Sequence, residues 1–116
     1  MKIGLLFSNP LDRYRKNLRW HHPKEEVLKG IKWLLLKHRE DLTGEEQNRL
    51  EAAFERFPQL EQCYLLKETF RLWFNHFDCP QKAGRFLDFW IDQAKALENR
   101  YLDRFLRTLL LWLWCN

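Results

Sequence analysis

The apolar positions along the chain recur every three or four residues, the spacing of an amphipathic helix. Leu11, Tyr14 and Leu18 follow this spacing directly after Asn9-Pro10, a pair typical of a turn or a helix start. His21-His22-Pro23 then predicts a break, because a residue before proline is biased away from the α conformation. A first, basic helix is therefore predicted within residues 10–22.

Further helices are predicted downstream, each with a recognisable start. Pro23 predicts a helix that runs to about His38, and Thr43-Gly44-Glu45-Glu46 has the pattern of a capping box. Pro58, the Asp78-Cys79-Pro80 boundary and Glu98 mark three more starts. No segment alternates with period two for long enough to predict a strand. We therefore predict an all-α fold, an antiparallel helical assembly of five to six helices in a single domain spanning residues 1–116.

The core of this assembly is predicted from the apolar faces of the helices. Its expected members are Val27, Leu28, Ile31, Leu34, Leu35, Leu50, Ala53, Phe54, Phe57, Leu60, Tyr64, Leu65, Phe70, Trp73, Phe77, Phe86, Leu87, Trp90, Ile91, Ala94, Leu102, Phe105, Leu106, Leu109 and Leu113.

Composition narrows the class of protein. Apolar residues make up 46% and charged residues 31%, which excludes a disordered chain. The longest apolar run, 109–115, is far short of the roughly 20 residues that span a bilayer. The apolar start, 1–7, is too short for a signal peptide, so we expect a cytoplasmic protein without a membrane partner. The three cysteines at positions 63, 79 and 115 are widely spaced and odd in number, which favours free thiols.

The charge is unevenly distributed. Residues 10–39 carry nine Lys or Arg against three acidic residues, whereas residues 40–116 carry ten against thirteen. A basic N-terminal third permits a polyanion such as DNA as partner, bound weakly and without sequence preference. The alternative is that each basic stripe is only a solvated helix face. The candidate DNA contacts are Arg13, Arg15, Lys16, Arg19, Lys29, Lys32, Arg100, Arg104 and Arg107.

The residue pattern gives little indication of a catalytic site or of a site for a metal or cofactor. His76 and Cys79 are three residues apart and His21 and His22 are adjacent, but a structural zinc site needs four ligands and no close pair of cysteines accompanies these residues. The four glycines are isolated, so no phosphate-binding loop is predicted. The sequence predicts no catalytic residue, no metal site and no cofactor.

Several segments nevertheless resemble one known family in order. Leu28–Lys37 is similar to the "LKG-x-[RK]-W-L-L-L-K" signature of bacterial insertion-sequence transposases of the DDE type, ISL-three group. Asp41-Leu42-Thr43, Phe57–Leu60, Tyr64–Glu68 and Phe86–Ile91 resemble later motifs of that family. The resemblance covers roughly residues 24–114, and residues 23–116 are therefore expected to form transposase-insertion-like helices.

In that family the matching segment is a helical insertion in an RNase H-like core, whose three carboxylates hold divalent metal for DNA cleavage and joining. The resemblance places the second Asp before residue 10 and the final Glu after residue 116. It therefore implies no catalytic residue at any position here. It implies a truncated transposase or a remnant of its insertion domain, not an enzyme. Trp33 and Leu34, within the signature, are expected to be buried and structural.

The last segment, 109–116, is apolar on every side of a helix, which predicts burial against another surface. We expect a homodimer with Leu111, Trp112 and Trp114 at its interface. Two functions stay open at this point. One is a DNA-contacting domain derived from a transposase, and the alternative is a protein–protein interaction module without a nucleic-acid role.

Overall fold

The structure is a computed structural model. It describes the backbone of residues 3–76 and 80–115, and the side chains of residues 10–72, 84–108, 110 and 111. Six α-helices and two short 3-10 turns occupy these residues, without any strand among them. The predicted all-α fold is confirmed. The helices are α1 (Ile3–His21), α2 (Lys32–Leu36), α3 (Gly44–Arg56), α4 (Pro58–His76), α5 (Pro80–Ala96) and α6 (Arg100–Cys115).

The long helices form a ring of four. Helix α1 packs against α4 and α6, α4 packs against α5, and α5 packs against α6. One core lies under α4, α5 and α6, where the Phe70, Trp90 and Phe105 rings contact each other at centroid distances of 5.0–6.3 Å. A second core joins α1 and α4 to the short helices α2 and α3, and Leu28, Ile31 and Leu35 are almost completely buried in it.

The predicted capping box at the start of α3 is confirmed. The Glu46 backbone N–H donates to the Thr43 hydroxyl at 3.2 Å, and the Thr43 N–H donates to the Glu46 carboxylate at 2.9 Å. These two bonds satisfy donors that the first turn of a helix otherwise leaves without partners. The start of α4 at Pro58 is confirmed as well.

The predicted helix from Pro23 to His38 is wrong. A 3-10 turn, Glu26–Leu28, is followed by a break at Gly30 and then by α2, which has only five residues. Gly30 has φ +74°, in the left-handed region that glycine adopts at little cost, and a Cβ there would lie 2.8 Å from Nη2 of Arg49. The apolar residues predicted for this segment are still at least half-buried, since the turn and the short helix direct them inward together.

Two further expectations are corrected. The first helix does not begin near Asn9-Pro10 but runs from Ile3, with Pro10 inside it. A proline removes one main-chain hydrogen bond from a helix, and α1 is long enough to continue on both sides. Trp33 is not buried, because α2 directs its side chain outward with 67% of its surface exposed, while Leu34 is buried as expected.

Leu65, expected in the core, is 38% exposed because it lies on the side of α4 that α5 only partly covers. The side chains of Trp73, Phe77, Leu109 and Leu113, also expected in the core, lie outside the described residues, as do those of Cys79 and Cys115.

Candidate nucleic-acid interface between the first and last helices

The start of α6 is fixed by a buried asparagine. Asn99 Oδ1 accepts hydrogen bonds from the backbone N–H groups of Tyr101 and Leu102 at 3.0 and 3.3 Å, as a helix N-cap does. Its amide donates to Gln59 Oε1 on α4 at 3.3 Å, and Gln59 in turn donates to the Leu97 carbonyl. Since α4 holds this cap from the side, the direction of α6 is set relative to α1 and α4.

Helices α1 and α6 then enclose an open cleft of about 400 Å³, which we call the arginine groove. Arg13 lines it from α1, and Arg100, Arg104 and Arg107 line it from α6. The three α6 arginines lie at i, i+4 and i+7, so they face one side of the helix over a rise of about 10 Å. Packing thus brings Arg13 of the first basic stripe beside the α6 stripe, which is remote from it in the sequence.

Among the described residues, little negative charge faces the arginines of the groove. Asp103 is the one carboxylate among the described residues that line it. None of the four arginines forms an ion pair within the part of the chain that the structure describes. Guanidinium groups present several donors in a planar fork that matches phosphate geometry. The groove is therefore suited to bind an anion with more than one negative group.

The aromatic rings beside the groove are already in contact with other side chains or buried. Tyr101 stacks on Tyr14 at a centroid distance of 6.0 Å, and the Arg100 guanidinium lies 5.2 Å from the Tyr101 centroid. Phe105 is buried. These rings leave little open face for a nucleobase, so the groove offers charge and hydrogen-bond donors rather than a stacking platform.

The other predicted DNA contacts on α1 differ in whether a neighbouring carboxylate neutralises their positive charge. Arg15 is buried and forms an ion pair with Asp12 at 2.9 Å, and Lys16 pairs with the same carboxylate at 3.4 Å. Burial alone would raise the pKa of Asp12, but the hydrogen bond and charge of Arg15 hold it below its usual value. Arg19 is exposed. Of the four α1 candidates, only Arg13 lines the groove.

Lys29 and Lys32 lie on a different segment: Lys29 directly follows the 3-10 turn, and Lys32 is the first residue of α2. Lys29 pairs with Glu26 at 2.9 Å, and the Lys32 ammonium lies 5.0 Å from the ring centroid of the exposed Trp33. Neither lysine lines the arginine groove. Of the predicted dimer residues, Leu111 is 67% exposed, whereas the side chains of Trp112 and Trp114 lie outside the described residues.

A buried polar cluster joins α4 to the end of α2. The Lys67 ammonium donates to the carbonyls of Leu35 and Lys37 at 2.8 and 3.0 Å, and the Tyr64 hydroxyl donates to the Lys37 carbonyl at 3.2 Å. Glu68 accepts a hydrogen bond from the Arg39 backbone N–H. Burial lowers the pKa of Lys67 to about 8. These contacts join Leu28–Lys37 to Tyr64–Glu68, two of the segments that resemble the transposases, and so give both a structural role.

Sequence reasoning missed Lys67, although a signal was present. Leu60, Cys63, Lys67 and Phe70 follow helical spacing on one face of α4, and all four are buried. A lysine at a position where the pattern demands an apolar side chain indicates a buried charge with specific partners.

The described residues hold little that resembles catalytic or metal-binding chemistry. No group of three His, Cys, Asp or Glu side chains among them comes together as a metal site would require. Cys63 is a buried thiol whose pKa burial raises to about 12, the opposite of an activated nucleophile. Among the described helices, none combines the length and apolar character needed to cross a membrane.

The fold and the groove define the class of domain as an all-α helical domain with basic side chains gathered at one cleft. Comparison with known proteins gives the family: residues 5–114 match the family model of DDE transposases of the ISL3 group, described as "Transposase". The chain belongs to this family. It is 29% identical over 104 residues to the transposase for insertion sequence element IS1001 of Bordetella parapertussis. The match covers 85% of the chain but 25% of that relative's length. No solved structure matches the chain significantly.

Proposed function

We propose that this domain contacts the DNA backbone through the arginine groove, as a non-catalytic part of a transposase-related protein. One observation carries the proposal: Arg13, Arg100, Arg104 and Arg107 converge on one cleft without ion-pair partners among the described residues. Family membership supports DNA as the polyanion. The cytoplasmic location expected from the sequence belongs to the same proposal.

The mode of binding follows from what the groove presents. Phosphates of one strand of B-form DNA advance about 3.4 Å along the axis, so the α6 stripe of about 10 Å is long enough for two or three of them. Phosphate contacts fix position without reading sequence. With Tyr101 in contact with Tyr14 and Arg100, and no Asn or Gln among the described residues that line the groove, we expect binding without base preference.

Fluorescence anisotropy with two duplexes of unrelated sequence tests the proposal. The double variant Arg104→Gln, Arg107→Gln should weaken binding to both duplexes alike. A matched control, Lys24→Gln with Lys95→Gln, removes the same charge at exposed positions outside the groove and should change affinity much less. Equal weakening in the two double variants would show that overall charge, and not the groove, determines binding. A preference for one duplex would contradict phosphate recognition.

The absence of catalysis is part of the proposal. The described residues bring together no set of three carboxylates. Incubation of the purified chain with a transposon-end duplex and Mg²⁺ or Mn²⁺ should yield neither cleaved nor joined strands. Metal-dependent cleavage that an internal Asp or Glu substitution abolishes would overturn this part.

Self-association is a second candidate function, and exposed apolar side chains favour it. Leu110 and Leu111 on α6 are 41% and 67% exposed, and Phe89 on α5 is 61% exposed. Large apolar side chains at such exposure are typical of surfaces that meet another protein. Light scattering at micromolar concentration should therefore show a dimer, and a monomer at high concentration would rule this function out.

A further inference from the structure

A second groove lies between α4 and α5. In the ring of four helices the α4–α5 pair is opposite the α1–α6 pair, so this groove and the arginine groove lie on opposite sides. Its volume is about 480 Å³. Leu65 and Leu66 line it from α4, and Phe86, Phe89 and Trp90 line it from α5. We call it the apolar groove.

The apolar groove differs from the arginine groove in charge. Its described polar lining consists of neutral side chains, Gln62, Thr69 and Gln93, and no charged residue is among the described residues that line it. Phe89 projects at its edge with 61% of its surface exposed, and Leu65 is 38% exposed. An exposed phenylalanine beside an apolar cleft that no other described side chain fills makes this face self-complementary, which is the property a two-fold interface requires.

Charge favours a second copy at this face over the end of α6. The chain carries a net charge of +4, so two copies repel each other, and this repulsion is smallest when the contact face keeps like charges far apart. Leu111 lies one helical turn after Arg107, on the stripe that faces the arginine groove. A two-fold pairing there would bring the arginines of both copies close together. Pairing through the apolar groove brings no charged residues together among the described residues that line it.

The flanks of Phe89 are also complementary under two-fold symmetry. Arg85 lies four residues before Phe89 and Asp92 three residues after it, and both are exposed on the outer side of α5. Neither forms an ion pair with another described residue. When two α5 helices pack antiparallel about an axis near Phe89, Arg85 of one copy comes opposite Asp92 of the other.

We propose that the α4–α5 face is the homodimer interface of this domain, with Phe89 of each copy inserted into the apolar groove of the other. The proposal rests on self-association, the second candidate function. It leaves the arginine grooves of both copies on the outer sides, away from the interface. DNA binding and dimerisation then depend on different residues, so a substitution can abolish one without affecting the other.

Sedimentation equilibrium of the full chain at micromolar concentration tests the proposal. The wild type should be a dimer, and Phe89→Glu should raise the dimer dissociation constant by at least about tenfold, as removal of a central aromatic side chain from an interface does. Leu111→Glu, the matched change on α6, should leave the dimer intact. Because Phe89 and Leu111 are both exposed, circular dichroism should show native helix content for both variants.

A charge swap gives a second readout that does not depend on Phe89. Asp92→Arg alone should weaken the dimer, and the double variant Arg85→Asp, Asp92→Arg should restore it. Dissociation by Leu111→Glu but not by Phe89→Glu would overturn the assignment and place self-association on α6. A monomeric wild type would overturn self-association itself. The Arg104→Gln, Arg107→Gln variant should remain dimeric, which separates failure of this proposal from failure of DNA binding.

Discussion

Replacing Lys67 by methionine removes the charged group that joins α4 to the end of α2 while keeping a side chain of similar length. The Lys67 ammonium is the side-chain donor to the Leu35 carbonyl, at 2.8 Å, and Leu35 is 1% exposed. The carbonyl of Lys37 keeps the Tyr64 hydroxyl as a donor. Glu68 keeps its hydrogen bonds with the Arg39 N–H and the Arg71 guanidinium. The variant thus leaves one buried acceptor unsatisfied.

The expected magnitude follows from that single acceptor. A buried polar group left without a partner costs about 1–3 kcal/mol. Lys67 also lies 3.8 Å from the buried Glu68 carboxylate, but Glu68 keeps Arg71 as an ion-pair partner at 3.2 Å. Because removal of the buried ammonium also relieves its own desolvation cost, the destabilisation should stay within this range rather than reach the roughly 3–5 kcal/mol expected when the remaining charge of a buried pair has no partner. We expect Lys67→Met to lower the free energy of unfolding by about 1–3 kcal/mol.

Urea denaturation followed by circular dichroism measures this difference, and an unchanged m value would show that the change lies in stability. Lys95→Met provides the control, because Lys95 is exposed on α5, and such surface changes usually remain within about 0.5 kcal/mol. If the free energy of unfolding of both variants fell by less than about 0.5 kcal/mol, the Lys67 hydrogen bonds would not stabilise the end of α2. The structural role given to the two family-like segments would then be wrong.

The remaining predictions concern the same packing. Between pH 8 and pH 10 the unfolding free energy of the wild type should rise relative to Lys67→Met by at most about 1.4 kcal/mol per pH unit, as urea titrations at each pH would measure. The reason is that the folded chain releases the Lys67 proton near a pKa of about 8, whereas the unfolded chain keeps it to about 10.5; a constant difference would refute this. Trp33→Ala should cost less than about 1 kcal/mol, and Trp90→Ala roughly 3–5 kcal/mol, because the first indole is 67% exposed and the second 1%. Similar destabilisation of both variants in guanidinium titrations would contradict the assigned burial.

The starts of α3 and α4 and most of the core could be predicted from the sequence because they depend on local signals. The capping box at Thr43 and the proline at Pro58 start their helices as predicted, and the 3–4-residue spacing of Leu102, Phe105 and Leu106 identified a buried face. Such signals act within one or two turns of a helix. They do not depend on how the helices are arranged.

The sequence alone did not predict the features that depend on how elements remote in the chain pack together. Apolar spacing in 27–35 predicted one helix, but the left-handed Gly30 and its neighbour Arg49, far along the chain, divide it. Trp33 is apolar and lies among buried residues, yet the short α2 turns it outward. Arg13 and Arg104 are remote in sequence, and only the packing of α1 on α6 places them in one groove.

The salt dependence of DNA binding tests the central claim, that the arginine groove contacts phosphates, most directly. The slope of the logarithm of the binding constant against the logarithm of salt concentration changes by about 0.9 for each phosphate that the protein no longer neutralises on duplex DNA. Arg104→Gln with Arg107→Gln should therefore reduce the slope by about two, while Lys24→Gln with Lys95→Gln should leave it nearly unchanged. A groove variant with the wild-type slope, or a control variant with an equal reduction, would contradict the proposed interface.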